Sequence, residues 1–202
     1  MTEEIVFNKF AKMHRLSREI IVTEKIDGTN AQVFIGENGE FLTGSRKRWI
    51  TPEDDNFGFS AWAHEHKDLL MQLGPGRHFG EWWGQGIQRK YGLDEKRWSL
   101  FNVQRWCLCT EKPEQVFSHY DKGKEVTKPQ DVLPHCVGLV PVLWRGMFDS
   151  TQIDECLADL EENGSVAAPG FKPAEGVVVW HVQGNFGLKK TLNGDGHKKG
   201  ET

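Results

Sequence analysis

The sequence has no long hydrophobic run. No segment of its 202 residues approaches the roughly eighteen apolar residues that a transmembrane helix needs. Its first residues, Met1–Glu4, are acidic and lack the basic-then-apolar pattern of a secretory signal peptide. These two absences predict a cytoplasmic protein that does not associate with membranes.

Metal-binding cysteine pairs are also missing. The four cysteines are Cys107, Cys109, Cys136 and Cys156, and no two of them have the C-x-x-C spacing. A structural zinc site is therefore not expected. In a reducing compartment the simplest state for all four is a free, buried thiol.

An excess of positive charge is absent. The sequence has 25 Lys and Arg residues and 29 Asp and Glu residues, which gives a formal net charge of −4. This balance argues weakly against a protein that coats nucleic acid, but net charge hides local patches. Aromatic residues are abundant instead, with eight tryptophans and twelve phenylalanines. The length suits one domain with a substantial core.

The most informative segment is residues 24–30, Glu-Lys-Ile-Asp-Gly-Thr-Asn. The apolar run Ile20–Val22 precedes it and predicts a buried strand, so Lys25 lies where that strand ends. A cationic side chain there is costly unless it is paired or loses its proton. A lysine that can lose its proton is a nucleophile. The alternative is an exposed strand-end lysine followed by a turn at Asp27 and Gly28.

The first half of the sequence otherwise predicts strands and one helix. Residues 30–43 indicate a hairpin with a turn at Asn38 and Gly39. Ser60 is expected to cap a helix that runs to about Leu73. Two further strands are expected at 78–84 and at 98–103.

The second half predicts a loop, a strand, a helix and a hairpin. Residues 110–135 are expected to be loop, and 137–143 a strand. A helix is expected to open at Ser150 or Thr151 and to end near Gly164. The last predicted element is a hairpin in which 175–182 pairs with 186–190.

Several polar residues interrupt the predicted apolar strands, and their chemistry is complementary. The cations suit a polyphosphate, and the carboxylates suit a divalent metal that bridges it. One lysine would attack while the others hold charge, and nearby cations would lower the pKa of the attacking amine. Phe101 offers a ring that can stack on a purine. The alternative for the basic run at 46–48 is a solvated hairpin edge. The interrupting residues are Lys25, Asp27, Arg46, Glu81, Glu175, Lys189 and Lys190.

These residues occur in five ordered motifs between about residues 20 and 191. In content and order, the motifs resemble those of the covalent nucleotidyltransferase superfamily of polynucleotide ligases and capping enzymes. Within it, the chain is most similar to the ATP-dependent RNA ligases. The motifs are Lys25–Gly28, Gly44–Arg46, Phe79–Glu81 with its companion Trp98–Phe101, Glu175–Val178, and Leu188–Lys190.

The resemblance implies a fold and a domain organisation. We expect an α+β nucleotidyltransferase domain of antiparallel sheets flanked by helices, an ATP-grasp-like ligase core with the nucleotide between the sheets. This adenylyltransferase domain would occupy residues 1–193, and residues 194–202 would form a flexible tail. No C-terminal OB-fold or helical domain fits after the fifth motif, so the chain is either a stand-alone catalytic domain or one cut at a domain boundary. Without a second domain we expect a weak grip on nucleic acid, and we also expect a monomer.

The resemblance also implies roles for individual residues. Lys25 would carry AMP from ATP, and Phe101 would stack on the adenine. A Mg²⁺ or Mn²⁺ ion would be organised by Glu81 and Glu175. Lys189 and Lys190 would bind phosphates, although the family often separates these two lysines by one residue. The remaining nucleotide-binding residues would be Glu24, Asp27, Gly28, Asn30 and Arg46, with Asp27 and Arg46 on the ribose side.

The implied activity is ATP-dependent RNA ligation. AMP would pass from Lys25 to a 5′-phosphate, and a 3′-hydroxyl would then displace it to seal the strand. Three alternatives remain at this stage: a DNA ligase, a capping guanylyltransferase, and a nucleotide- or RNA-binding module that no longer seals ends.

Overall fold

Two β-sheets face each other in this protein, and helices cover their outer sides. The computed structural model describes residues 7–106 and 133–194. The predicted loop at 110–135 and the tail at 194–202 therefore lie largely outside the described residues. The predicted α+β class of antiparallel sheets flanked by helices is confirmed. The ATP-grasp-like detail stays a prediction.

Sheet A has four antiparallel strands in the order β10-β9-β1-β8. The strand β1 lies inside the sheet because its apolar centre, Ile20–Val22, is buried on both faces. The predicted final hairpin is confirmed as β9 and β10. The bounds are β1 Glu19–Lys25, β8 Val142–Met147, β9 Gly176–His181 and β10 Phe186–Thr191.

Within the described residues, sheet B has six strands in the order β4-β3-β2-β5-β6-β7, and among these only the β6–β7 pair is parallel. The predicted hairpin at 30–43 is confirmed as β2 and β3. The bounds are β2 Thr29–Ile35, β3 Phe41–Ser45, β4 Trp49–Ile50, β5 Gly76–Gly84, β6 Lys96–Leu100 and β7 Gly138–Leu139.

The helices of the described chain are short except for the last. The helix α4 is capped by Asp149, whose carboxylate accepts a hydrogen bond from the Thr151 amide, and it ends at Gly164 as predicted. The bounds are α1 Phe59–Glu65, α2 Lys67–Leu70, a 3₁₀ turn Met71–Leu73, α3 Val103–Trp106 and α4 Ser150–Asn163.

The prediction of one helix from Ser60 to Leu73 is wrong in two respects. Ser60 lies inside α1, and the carboxylate of Asp55 accepts the amide hydrogen bonds of Ser60 and Ala61 instead. The helix is also interrupted at His66, where the backbone leaves the helical region. Periodicity alone could not show this break, because the apolar spacing continues through it.

The strands expected at 98–103 and 137–143 also differ from the observed ones. The first ends at Leu100, and Val103 already begins α3. The second is two strands in different sheets, since the chain passes from β7 to β8 at Val140 and Pro141. Proline has no amide hydrogen to donate to a ladder, so it suits a crossing point better than a strand interior.

Three apolar clusters hold these layers together. One packs sheet B against α1 and α2, a second packs sheet A against α4, and the third joins the two sheets. The third contains Ile21 of β1 and Trp83 of β5, so it fixes the distance between the sheets at the end of the site described below.

The two described cysteines, Cys136 and Cys156, are free as predicted, but they are only partly buried. Burial raises the pKa of both. Cys107 and Cys109 lie outside the described residues. Within the described ranges, no helix has both the length and the apolar character needed to cross a membrane.

Candidate active site

A cavity of about 1040 Å³ lies between the inner faces of the two sheets. Strand alternation decides which side chains face it, because successive residues point to opposite sides of a sheet. Sheet A contributes a floor from β1, β9 and β10, and sheet B contributes a wall from β5 and the chain after β6. The lining includes Thr23, Lys25, Val178 and Lys189 from the floor and Phe79, Glu81 and Phe101 from the wall.

Lys25 stands at the end of β1 and faces the cavity. Its Nζ donates to Glu175 Oε2 at 2.7 Å, and the two side chains are only 23% and 12% exposed. The pairing is built by register, since Lys25 lies opposite Gly176 and Glu175 directly precedes it. The predicted alternative of a solvated strand-end lysine does not describe this geometry.

Glu81 brings a second carboxylate to the same cavity from sheet B. Its Oε1 accepts from the Gly28 amide at 3.0 Å, and its Oε2 accepts from Asn30 Nδ2 at 2.9 Å. Burial raises the pKa of Glu81 to about 7, while the Asn30 hydrogen bond and the Lys25 charge act in the opposite direction. The two predicted metal-binding acids, Glu81 and Glu175, therefore lie on opposite walls beside Lys25.

Gly28 is required by a close approach. A Cβ at this position would lie 2.4 Å from the Trp82 carbonyl oxygen and 2.8 Å from the Trp83 Cβ. Only glycine lets the chain leave sheet A, pass against β5 and donate its amide to Glu81. The glycine of the predicted nucleophile motif thus has a packing reason in this structure.

Glu24 is adjacent to Lys25 but serves a different face of sheet A. Its buried carboxylate accepts from Ser165 Oγ at 2.5 Å and from the Ala167 amide at 2.8 Å, although Glu24 is also among the residues that line the cavity. Burial raises the pKa of Glu24. Because both carboxylate oxygens accept these hydrogen bonds, we expect a molecule in the cavity to meet mainly the main chain of Glu24.

Asp27 is held by a segment that the sequence did not single out. Arg89 Nε donates to Asp27 Oδ2 at 2.9 Å, and the Asp27 amide donates to Tyr91 Oη at 2.7 Å. Arg89 Nη1 also donates to the Pro173 carbonyl at 3.1 Å, just before Glu175. The loop at 85–92 therefore ties the Lys25 turn to the approach of Glu175.

Sequence reasoning missed Arg89, Tyr91 and Ser165 as positioning residues. The segment 85–92 is polar and basic in sequence, and the partner of its Arg89 and Tyr91, Asp27, is more than sixty residues away. No local pattern reports such a distant pairing. The one available signal was the placement of an arginine and a tyrosine in a loop that follows the predicted Glu81 strand.

The two lysines of the last motif have separate environments. Lys189 lines the cavity from β10, opposite Val178 of β9. Lys190 lies on the other face of the sheet, where its Nζ donates to Asp154 Oδ1 of α4. The structure brings Lys189, and not Lys190, together with Lys25.

Phe101 and Arg46 also differ in whether they line the cavity. Phe101 lines the cavity and is 42% exposed, so its ring is available to a molecule bound there. Arg46 lies in the exposed turn between β3 and β4, and the described cavity lining does not include it. The predicted ribose contact of Arg46 stays a prediction.

The carboxylates of this site fit one kind of metal. Among the described residues, no group of three or more His, Cys, Asp or Glu side chains gathers into a metal-binding cluster. Mg²⁺ commonly uses one or two carboxylates and completes its octahedron with water and substrate phosphates. Glu81 and Glu175 match that requirement, whereas they are too few for an all-protein zinc or calcium site.

Comparison with known proteins gives a consistent picture. A family model described as RNA ligase matches residues 18–192. A lysine-to-alanine variant of the Naegleria gruberi RNA ligase with ATP and Mn is 17% identical, with a TM-score of 0.55 over 88% of this chain and 50% of that one. No curated protein sequence matches the chain.

Two further structures of the Naegleria gruberi RNA ligase are similar to the same extent. A lysine-to-methionine variant with AMP and Mn has a TM-score of 0.56 at 17% identity, over 88% of this chain and 51% of that one. An aspartate-to-alanine variant in the apo form has a TM-score of 0.59 at 17% identity, over 88% and 50%. The chain spans about half the length of these structures, and at this identity the likeness shows the fold.

Proposed function

The chain belongs to the RNA ligase family, and from that premise we propose that it is an ATP-dependent RNA ligase that carries AMP on Lys25. The observation that carries the proposal is the ion pair of Lys25 and Glu175 inside a cavity of about 1040 Å³. A lysine whose amine faces a large cavity beside its own proton acceptor is placed to act as a nucleophile.

The first step would be adenylation. The lysine ammonium must give up a proton before it attacks, and Glu175 Oε2 at 2.7 Å is placed to receive it. The Lys25 nitrogen then bonds to the α-phosphorus of ATP, the bond from that phosphorus to the bridging oxygen breaks, and pyrophosphate leaves. Lys189 lies along the same floor and would hold phosphate charge during this displacement.

Two further displacements would complete the reaction. AMP passes from the Lys25 nitrogen to an RNA 5′-phosphate, and a 3′-hydroxyl then attacks that phosphate and expels AMP. Each displacement depends on in-line positioning and on charge stabilisation. A Mg²⁺ or Mn²⁺ ion held by Glu81 and Glu175 would neutralise phosphate charge when it is bound.

Structures of the family support the choice of nucleotide and metal. The Naegleria gruberi RNA ligase was solved with ATP and Mn and with AMP and Mn. In this chain Phe101 provides a half-exposed ring in the cavity for a purine. Both facts favour adenine nucleotides with a divalent metal as the ligands of the proposed enzyme.

The test is covalent labelling with ATP that carries a radioactive α-phosphate, followed by denaturing electrophoresis. Wild type should retain the label. Lys25→Ala and Lys25→Arg should both lose it, and the arginine variant keeps a cation beside Glu175, so it separates loss of the nucleophile from loss of charge. A wild-type band that stays unlabelled with both Mg²⁺ and Mn²⁺ would overturn the proposal.

Glu175→Gln tests the partner acid. Without the carboxylate, the lysine proton has no neighbour to receive it and the metal loses a ligand, so labelling should fall by about 100-fold or more. Thermal unfolding should show that the variant is folded. Labelling at the wild-type rate would contradict the role given to Glu175.

Substrate choice is tested with sealed products. Labelling with GTP compared with ATP distinguishes a capping guanylyltransferase from a ligase. Sealing of a nicked RNA duplex compared with a nicked DNA duplex distinguishes an RNA ligase from a DNA ligase. We expect labelling with ATP and sealing of RNA. A protein that takes the label but seals neither substrate would retain only the first step.

A further inference from the structure

We propose that the open face of sheet B, beside the cavity, is a binding track for the single-stranded end of an RNA. We call it the aromatic track, and it consists of Phe34, Trp49, Arg77 and Phe79. The inference rests on the proposed function, because it names where the RNA of that reaction would lie. Nothing in the adenylation chemistry itself requires this surface.

The track arises from strand alternation. On β2 and β5 the residues that face the opposite way, such as Val33 and Trp82, form the core that packs against α1. Phe34 lies opposite Arg77 across these two strands, on the face that no helix of the described residues covers. The face continues onto β4, where Trp49 lies beside Gly44.

The three outer members of the track form a cation–aromatic group. The Arg77 guanidinium carbon lies 5.2 Å from the centre of the Phe34 ring and 5.1 Å from the centre of the Trp49 ring. The two rings are themselves 6.3 Å apart. Trp49 is nevertheless 43% exposed and Phe79 is 49% exposed, so both offer an aromatic surface to another molecule.

The track is continuous with the candidate active site. Arg77 and Phe79 both line the cavity, and the Phe101 amide donates to the Phe79 carbonyl at 2.9 Å. From β5 to β4 the track crosses three strand spacings, about 14 Å. An RNA strand whose end lies at Lys25 would therefore pass over Phe79 and Arg77. From there it would continue along sheet B as far as Trp49.

The chemistry of the track fits single-stranded RNA. Aromatic side chains bind exposed bases by stacking, and arginine adds phosphate and ring contacts. Arg46 and Lys47 stand exposed in the turn beside Trp49 and add positive charge at the far end. The overall charge is −4, so this positive surface is a local feature. A duplex already stacks its own bases and would leave these rings without partners.

The experiment measures the affinity of the full-length chain for a short fluorescein-labelled RNA by anisotropy, with the RNA single-stranded or annealed to its complement. Trp49→Ala should weaken binding of the single strand by about 5- to 150-fold, the range for loss of one base–aromatic stack. Trp49→Phe should restore most of the affinity. Phe57→Ala removes an equally exposed ring away from the track and should bind like wild type.

Covalent labelling by ATP separates the two proposals, since Trp49 lies outside the cavity lining. Trp49→Ala should take the label as wild type does. If single-strand affinity is unchanged in Trp49→Ala, or if wild type that takes the label binds no RNA, the track is wrong. It is also wrong if light scattering shows a wild-type dimer that Trp49→Ala abolishes. The two proposals can also fail separately. If wild type does not take the label but Trp49→Ala still weakens RNA binding as expected, the ligase chemistry is overturned and the aromatic track is supported.

Discussion

The two faces of sheet A carry similar charged residues that have different roles. On the cavity face, Lys25 and Lys189 point into a space large enough for a nucleotide. On the other face, Glu24 and Lys190, their immediate neighbours in sequence, bind the chain that covers the sheet. The same residue types therefore have a proposed catalytic role on one side and a structural role on the other, and the strand period of two decides which.

Buried acids show the same division between site and scaffold. Glu24 and Glu81 are both buried with a raised pKa. The partners of Glu24 are Ser165 and Ala167, which close a loop after α4. The partners of Glu81 are Gly28 and Asn30, which belong to the predicted nucleophile motif. Burial and an altered pKa thus do not identify a catalytic acid unless its surroundings are known.

The largest expected difference between the faces is that between the two adjacent lysines. Lys189→Ala should reduce adenylation of Lys25 by about 100-fold or more, because a phosphate charge in the cavity loses its cation. Lys190→Ala should reduce it by no more than about 3-fold, since an exposed ion pair is worth about 1 kcal/mol or less.

The control for this pair is Asp154→Ala, which removes the partner of Lys190 and should resemble Lys190→Ala. The measurement is the initial rate of covalent labelling at saturating ATP, with thermal unfolding to confirm the fold. Equal losses of labelling rate in Lys189→Ala and Lys190→Ala would contradict the different roles given to the two faces of sheet A.

Glu81 should give the ligand-free protein a pH-dependent stability. Its pKa is about 7 in the folded chain against an ordinary value of 4.5, so the folded state keeps a proton that the unfolded state releases. The stability from this group is fully present below about pH 4.5 and is lost as the pH rises through 7. We expect a loss of up to about 3 kcal/mol in the free energy of unfolding.

Urea unfolding at a series of pH values measures this loss. Glu81→Gln should show a shallower decline in stability between about pH 5 and pH 8 than wild type. Part of the decline should remain, because burial also raises the pKa of Glu24. Identical pH profiles for wild type and Glu81→Gln would show that Glu81 does not titrate in this range.

Glu24→Ala should affect stability more than chemistry. It leaves the Ala167 amide and the Ser165 hydroxyl without their acceptor in a buried place, which costs about 2 kcal/mol of unfolding free energy. Labelling of Lys25 per folded molecule should fall only a few-fold. A large loss of labelling at unchanged stability would show that Glu24 acts on the nucleotide in the cavity and not on the stability of the fold.

The strands that carry the site could be predicted from the sequence, because apolar runs and apolar alternation are local patterns. The β1 strand, the β2–β3 hairpin, Glu81 on β5 and the β9–β10 hairpin all follow from it. The choice between Lys189 and Lys190 could not be made, since the motif names both and only the sheet's orientation separates them.

Other features depended on contacts between distant parts of the chain. The break at His66 and the crossing at Pro141 interrupt apolar runs that look continuous in sequence. The hydrogen bonds of Arg89 and Tyr91 to Asp27 join residues more than sixty positions apart. The aromatic track needs the register of four strands, which hydrophobic spacing predicts only one strand at a time.

In the proposed reaction one amine, that of Lys25, forms a bond to phosphorus. The most direct measurement is mass spectrometry of peptides from the full chain after incubation with ATP and Mg²⁺. We expect a single AMP adduct, located on Lys25, that pyrophosphate removes. An adduct on Lys189 or on any other residue, or none at all under conditions where ATP binds, would contradict it.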